Sequence, residues 1–266
     1  MRFSVQLSPG LRGGKWARLG PLRGHDETFV GNGSVVDGIA LLDRLLVETP
    51  GTTVGPGRAR DLAVCDADRL FAAIYLKYVG ELVEGAVSCR NCREPFQVSF
   101  SLRNLLANLD ARAGHNIVGP DEDGIYTLSD GRRFRLPTVS DQQSVRGLQT
   151  DAAAGALLER CMVAGDRGDS PSLLQKAMDA VGPVLDLELD AACPKCGTSE
   201  SVRFDMQAYL LRTLAHEKRF LLREIHLIAV TYGWGYGEIL SLTREDRQAF
   251  VSLIQAEREA RGRARP

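Results

Sequence analysis

The sequence lacks the extremes that would place it in a specialised class of proteins. Its 266 residues include 33 Lys and Arg, 34 Asp and Glu, and 6% aromatic residues. The net charge of -1 provides no overall field that would attract nucleic acid or an anionic membrane. The longest apolar run extends only from Leu70 to Leu76, whereas a membrane-spanning helix needs about 20 apolar residues. We therefore expect a globular protein with no membrane partner.

The N-terminus also lacks the apolar stretch of a secretory signal peptide. We therefore expect a cytoplasmic protein, in which cysteines stay reduced. The six cysteines of the chain then need a role other than disulfide bonds.

Four of these cysteines form two Cys-x-x-Cys pairs. A two-residue gap lets both thiolates of a pair turn toward one cation, about 2.3 Å away for zinc, and four thiolates complete the tetrahedron of a structural site. Calcium and magnesium prefer oxygen ligands. The pairs therefore predict one structural Zn²⁺ ion, whose ligands are Cys89, Cys92, Cys193 and Cys196.

The two pairs lie far apart in the chain, but their flanking sequences repeat. A shift of 104 positions places the first pair on the second and aligns further positions of similar type. These are Glu84 with Glu188, Val98 with Val202, Phe100 with Phe204, Ser101 with Asp205, Leu102 with Met206, and Leu106 with Leu210. Each copy reads as strand, knuckle, strand, N-cap and helix, with Ser101 and Asp205 as the N-caps. An internal repeat with two half-sites predicts one shared ion.

Two other uses of the cysteines remain open from the sequence. Cys193 and Cys196 flank Lys195, which is compatible with a reactive thiol, although no thioredoxin-like strand and helix open on this pair. This redox use includes formation of a disulfide within a pair, and the other alternative is that the cysteine pairs are incidental. Cys65 and Cys161 stand alone in apolar surroundings, so we expect them to be core residues.

The hydrophobic pattern predicts an α+β, mainly helical fold. Two zinc-knuckle β-hairpins meet at one four-cysteine site, and a further β-hairpin with helices is inserted between them. The predicted regions are 1–65 (strands and a helix), 66–109 (a helix and the first knuckle), 110–182 (the insert) and 183–266 (the second knuckle and a helical region).

The same pattern places individual elements. The predicted strands lie at 3–7 and 16–19, the inserted hairpin at 125–128 and 133–136, and helices at 67–79, 102–109, 152–163, 171–181 and 206–232. Asp66, Ser140 and Thr243 are predicted to cap helices.

Familiar catalytic patterns are missing from the sequence. His216-Glu217 is not followed by a second histidine at metalloprotease spacing, and no phosphate-binding glycine loop or nucleophile elbow is present. Glu224 and His226 are compatible with acid–base chemistry, but structural hydrogen bonding is the expected role. We expect neither enzymatic activity nor a small-molecule substrate.

Two blocks of residues, within about residues 60 to 260, are similar to known proteins. The first comprises Asp68-Arg69-Leu70-Phe71, Tyr75-Leu76-Lys77, Gly80-Glu81, the pair Cys89 and Cys92, and Val98-Ser99-Phe100-Ser101-Leu102. The second comprises the residues from Leu222 to Ala229, Tyr232-Gly233-Trp234, those from Glu238 to Leu242, and Arg247. The first block resembles baseplate hub proteins of T-even-like contractile phages, and the second resembles their counterparts in bacterial contractile injection systems. The chain departs from this pattern at Gly235-Tyr236-Gly237, where a more polar helix start is expected.

The resemblance implies a structural role without catalytic residues. We therefore expect a zinc-stabilised structural or assembly component of the baseplate of a phage-tail-like contractile particle. Its partners would be other baseplate or hub proteins, and it would act in the cytoplasm during assembly or as part of the particle. The alternative is a zinc-ribbon nucleic-acid-binding protein, which the net charge and the lack of a basic strand with interleaved aromatics disfavour. A redox enzyme is the third possibility.

Overall fold

The structure is a computed structural model that describes residues 2–11, 14–30, 35–48, 54–109, 116–165 and 171–263. Within these ranges the chain has the expected α+β class, with helices predominating and the strands divided among four small antiparallel sheets. None of the helices in these ranges has the length and hydrophobicity needed to cross a bilayer.

The elements follow each other in this order. The first half contains β1 (Phe3–Leu11), β2 (Gly14–Leu19), α1 (Gly24–Phe29), α2 (Val35–Leu45), β3 (Leu46–Val47), a 3-10 turn (Ala59–Asp61), α3 (Val64–Tyr78), β4 (Leu82–Ser88), β5 (Pro95–Ser101) and α4 (Leu102–Asn108). The second half contains β6 (Ile117–Val118), β7 (Ile125–Leu128), β8 (Arg133–Arg135), α5 (Val139–Ser144), α6 (Thr150–Cys161), β9 (Met162–Ala164), α7 (Pro171–Val181), β10 (Asp186–Ala192), β11 (Ser199–Asp205), α8 (Met206–Tyr232), α9 (Tyr236–Ser241) and α10 (Arg244–Arg263).

The largest core joins the sheet β1-β2-β3 to α2, α3 and the first half of α8. Leu70, Phe71 and Ile74 form the buried face of α3, and Leu210 and Leu214 lie on the facing side of α8. Burying each such side chain stabilises the fold by about 1.5–3 kcal/mol. This packing fixes the start of α8 against α3, and each of these helices adjoins one of the cysteine-bearing hairpins.

The insert has a core of its own beneath the sheet β6-β7-β8-β9. The predicted hairpin is present as β7 and β8, with Tyr126 stacked on Phe134 at 5.4 Å between ring centroids. Cys65 and Cys161 are buried in this core, as expected. The helix predicted at 152–163 is too long, because its last residues form β9, in which Met162 pairs with Phe134.

Two of the predicted N-caps are wrong. Asp66 lies within the first turn of α3, which begins two residues earlier, where the Val64 N–H donates to the Pro137 carbonyl at 3.0 Å. Ser140 lies inside α5, because Thr138 caps that helix with its side chain. In both cases the contact that sets the helix start involves the segment at Pro137 and Thr138, between the insert hairpin and α5.

The C-terminal region is held to the N-terminal region by a buried group of charges. The helix α8 spans the predicted residues 206–232, and Thr243 caps α10 as expected. Arg247, with no exposed surface, binds Glu224 of α8 and Glu27 of α1. Arg244 binds Glu27 as well, at 2.9 Å between Nη1 and Oε2. Because buried charges are tolerated only when they are paired, these contacts hold α1, α8 and α10 in one arrangement.

Candidate metal centre

Two β-hairpins carry the cysteine pairs. In the first, β4 pairs with β5 from Leu82 opposite Ser101 to Ser88 opposite Pro95. In the second, β10 pairs with β11 over seven residues each, and every paired position is offset by 104 from its equivalent in the first hairpin. A helix follows each hairpin at once, and the side chains of Ser101 and Asp205 accept from its first free N–H groups. The repeat that the sequence predicts is therefore present residue by residue.

The knuckle between the strands has the same hydrogen bonds in both copies. In the first knuckle, the Cys89 N–H donates to the Glu94 carbonyl at 3.0 Å and the Arg93 N–H donates to the Cys89 carbonyl at 2.9 Å. In the second, the Cys193 N–H and the Gly197 N–H make the equivalent bonds, each at 2.9 Å. This turn reverses the chain tightly enough for both thiols of a pair to reach the same point.

All four predicted ligands come together between the two knuckles. The Sγ atoms of Cys89 and Cys196 are 3.6 Å apart, those of Cys92 and Cys193 are 3.7 Å apart, and all four lie within 4.8 Å of one another. A tetrahedron with Zn–S bonds of about 2.3 Å has sulfur–sulfur edges of about 3.8 Å. A disulfide would require about 2.0 Å. The donor set and its spacing therefore suit one zinc ion, and all four cysteines are free thiols.

The centre is half enclosed. Cys89 and Cys193 are 1% and 2% exposed, and Phe96 packs beside them, whereas Cys196 is open to solvent. Four thiolates fill the coordination of zinc, so this donor set supplies stability rather than a reactive, open coordination position.

The thiols differ in how readily they ionise. The hydroxyl and backbone N–H of Thr198 lower the pKa of Cys196 to about 6. For Cys89, the backbone N–H of Cys92 favours the thiolate, but burial and the neighbouring sulfurs prevail and raise the pKa to about 12. A metal ion must therefore displace protons from the centre, which makes its binding depend on pH.

A buried carboxylate connects one knuckle to the other. Glu200 follows the second pair, and its Oε1 accepts from the backbone N–H of Arg90 in the first knuckle at 2.7 Å. The Arg90 side chain also lies 3.4 Å from Glu200 Oε2. Sequence reasoning missed this contact, because no spacing rule relates residues 110 positions apart outside the repeat register.

Two further contacts between the knuckles are copies of each other. Lys195 Nζ lies 2.7 Å from Glu94 Oε2, and Asn91 Nδ2 lies 3.3 Å from Thr198 Oγ1. Asn91 and Lys195 are equivalent in the repeat, as are Glu94 and Thr198. The two hairpins are therefore related by a local two-fold axis that passes between the cysteine pairs.

Comparison with protein-family models, curated proteins and solved structures found no match for this chain.

The other residues considered for chemistry do not gather into a site. Glu224 binds Arg247, and His226 is exposed on α8. His216 Nε2 lies 2.8 Å from the guanidinium of Arg219, also on α8. Across the described ranges, the four cysteines are the only group of three or more Cys, His, Asp or Glu residues whose ligand atoms converge.

Proposed function

We propose that this protein is a zinc-stabilised structural component of the baseplate of a phage-tail-like contractile particle. The observation that carries the proposal is the four-sulfur centre. It joins the β4–β5 hairpin, which lies in the block that resembles baseplate hub proteins, to the β10–β11 hairpin. The second hairpin leads directly into α8, the helix that contains much of the other resembling block. A closed four-thiolate site supplies rigidity and no chemistry. The proposed partners are other baseplate or hub proteins.

The arrangement of the long helix supports a role in transmitting force. At its N-terminal end α8 continues directly from β11 of the second hairpin. Its first half packs against α3, and Glu224 in its second half binds the buried Arg247 of α10. A load applied at the C-terminal end of α8 would thus reach the metal centre through one continuous helix, as a part of a contracting machine requires.

An aromatic group at the end of α8 supports a docking role. Trp234 packs against Tyr232 and Phe250, with ring centroids 5.3 and 5.1 Å away, and Tyr236 nearby is more than half exposed. Aromatic side chains of this kind are enriched at the centres of protein interfaces. We assign this group as the surface that meets a neighbouring baseplate subunit.

A deletion strain tests the proposal. Electron microscopy is expected to show free tubes or no complete particles in that strain, and complementation with the wild-type gene is expected to restore them. Trp234→Ala should leave the purified protein folded but exclude it from particles, whereas Phe29→Ala, a change at an exposed aromatic residue elsewhere, should not. Complete, contractile particles in the deletion strain would contradict the assignment.

A further inference from the structure

The outward face of α8 carries a stripe of cations and apolar groups. Arg219, Arg223 and Val230 are spaced by four and seven residues, which places them on one side of a helix. Phe220 and Leu222 flank them. The apolar side chains among them are largely exposed: Phe220 at 49%, Leu222 at 55% and Val230 at 66%. We call these five residues the α8 stripe.

The acids of α8 cannot neutralise this stripe. The two carboxylates of α8 turn inward, where Glu217 binds Arg244 and Glu224 binds Arg247. The Arg219 guanidinium lies over the Phe220 ring, and within the described part of the chain neither arginine of the stripe forms an ion pair. The stripe is thus an exposed cationic surface with apolar neighbours, which suits an acidic protein surface better than a run of phosphates.

The same chain carries an acidic surface on the second hairpin. Asp186, Glu188 and Asp190 alternate along β10 and are all exposed, so they share one face of the strand. Arg203 pairs with Asp186 and lies directly opposite Glu188 across the two strands, so Asp190 is the acid of this face that is farthest from a cation. Among the described residues Glu188 and Asp190 have no ion pair of their own, although Glu188 accepts from the Ser201 hydroxyl. We call these three acids the β10 acidic face.

The spacing of the charges on the two surfaces matches. Side chains four residues apart on a helix, such as Arg219 and Arg223, lie about 6 Å apart. Residues two positions apart on a strand, such as Glu188 and Asp190, lie about 6.7 Å apart. Two arginines can therefore meet two carboxylates at once.

A single chain does not bring its own two surfaces together. Arg219 lies thirteen residues into α8, and within the described part of the chain no ion pair joins Arg219 or Arg223 to Glu188 or Asp190. The contact must then form between copies.

We propose that the α8 stripe of one copy docks on the β10 acidic face of a second copy. The contact joins two different surfaces, so a pair of copies still has one free stripe and one free acidic face, and the association continues into a ring or a filament. This inference does not depend on the baseplate assignment.

Sedimentation velocity on the full-length protein tests the contact. At about 50 mM NaCl the average mass should rise above the 29.0 kDa of one chain as concentration increases, and it should return toward that value at about 500 mM, because salt screens exposed charges. Reversing the stripe (Arg219→Glu with Arg223→Glu) or the acidic face (Glu188→Arg with Asp190→Arg) should each weaken association about ten-fold or more.

The decisive variant combines all four reversals in one chain, which restores complementarity with opposite signs and should restore association. Arg258→Glu with Arg261→Glu, an equal charge change at exposed positions near the end of α10, is the matched control and should associate like the wild type. A variant with neutral changes (Glu188→Gln with Asp190→Asn) tests the acidic face even if the arginine variant misfolds, and it should also weaken association. The proposal would be overturned by a monomeric wild type, by reversals without effect, or by a quadruple variant that stays dissociated. None of these results would change the deletion phenotype expected from the proposed function.

Discussion

Arg93 and Gly197 hold equivalent positions in the two knuckles, and both have a left-handed backbone, with φ of 59° and 73°. Each directly follows the second cysteine of its pair and donates its N–H to the carbonyl of the first. Only glycine adopts this conformation without steric cost. Since an arginine adopts it in one copy, the knuckle imposes the conformation, and the residue type decides only its cost.

Gly197→Ala should therefore destabilise the protein by about 1 kcal/mol. A Cβ at Gly197 would meet no other atom within 4 Å, so the cost is confined to the backbone. Arg93→Ala is the matched control, because this position already carries a Cβ, and it should be nearly neutral. Urea denaturation of the zinc-loaded proteins measures both. Equal effects at the two positions would show that backbone strain is not the cause.

The purified protein should contain one zinc ion per chain, because four thiolates make one closed site. Elemental analysis of protein prepared without chelator measures the ratio. Two ions per chain, or none, would contradict a shared centre.

In a shared site, Cys89→Ser should damage both hairpins, since it would remove a ligand from an ion that also binds the second knuckle, and metal binding contributes directly to folding free energy. Limited proteolysis should show new cleavage within β10–β11 as well as within β4–β5. Asn91→Ala, which removes only the 3.3 Å hydrogen bond from the same knuckle to Thr198 of the second, is the control and should cleave like the wild type. Cleavage confined to the first hairpin would indicate two independent sites.

Glu200→Gln should cost about 1–3 kcal/mol, because it weakens a charge-assisted hydrogen bond and leaves a buried group poorly satisfied. Glu94→Gln is the comparison. Glu94 also bonds across the knuckles, but its ion pair with Lys195 is exposed, so its loss should cost less than about 1 kcal/mol. Thermal unfolding at equal zinc content compares the two variants. A larger loss for Glu94→Gln would contradict the role given to Glu200.

Asp68→Asn should stabilise the protein above neutral pH. Burial raises the pKa of Asp68 to about 7, despite a hydrogen bond from the Leu185 N–H, and Asp205 and Asp186 add to the rise. In the unfolded chain the pKa is about 3.9, so between about pH 4 and 7 the unfolded state releases its proton first and wild-type stability falls as pH rises.

The asparagine keeps an oxygen that accepts from Leu185 and has no charge to bury. Its advantage over the wild type should therefore grow from about pH 4 to pH 7 and then level off. Comparing the two proteins at each pH cancels the contribution of the metal centre, which also responds to acid. Asp190→Asn, at an exposed position, should show no such trend. An advantage that shrinks as pH rises would contradict the buried, protonated Asp68.

Much of the centre was predictable from the sequence, because the repeat carries local signals. Ser101 and Asp205 cap the helices that follow the hairpins, and both caps follow from residue type and position. The cysteines converge as their spacing indicates. These features depend on short stretches of chain, where propensity and periodicity are informative.

The features missed by sequence reasoning depend on long-range contacts. The start of α3 is set by Pro137, far along the chain, and a local N-cap pattern at Asp66 was misleading. Met162 leaves its helix because the edge of β8 is available for pairing. The contact of Glu200 with Arg90 exists only once the two-fold arrangement has formed.

The separation of the two knuckles also has a consequence during synthesis. Cys193 follows Cys89 by 104 residues, and a ribosome adding about 5–20 residues per second leaves roughly 5 to 20 s between them. During this interval the first knuckle has only two of its four thiolates, while the insert emerges with all the strands of its own sheet. The insert can therefore fold before the second cysteine pair has been synthesised. Until then the first pair supplies only half of a coordination sphere, and a cysteine pair of a neighbouring nascent chain on the same messenger RNA could supply the other half. Swapped dimers, sharing two ions between two chains, would be the characteristic misassembly of this protein when chain elongation is slow or when nascent chains lie close together.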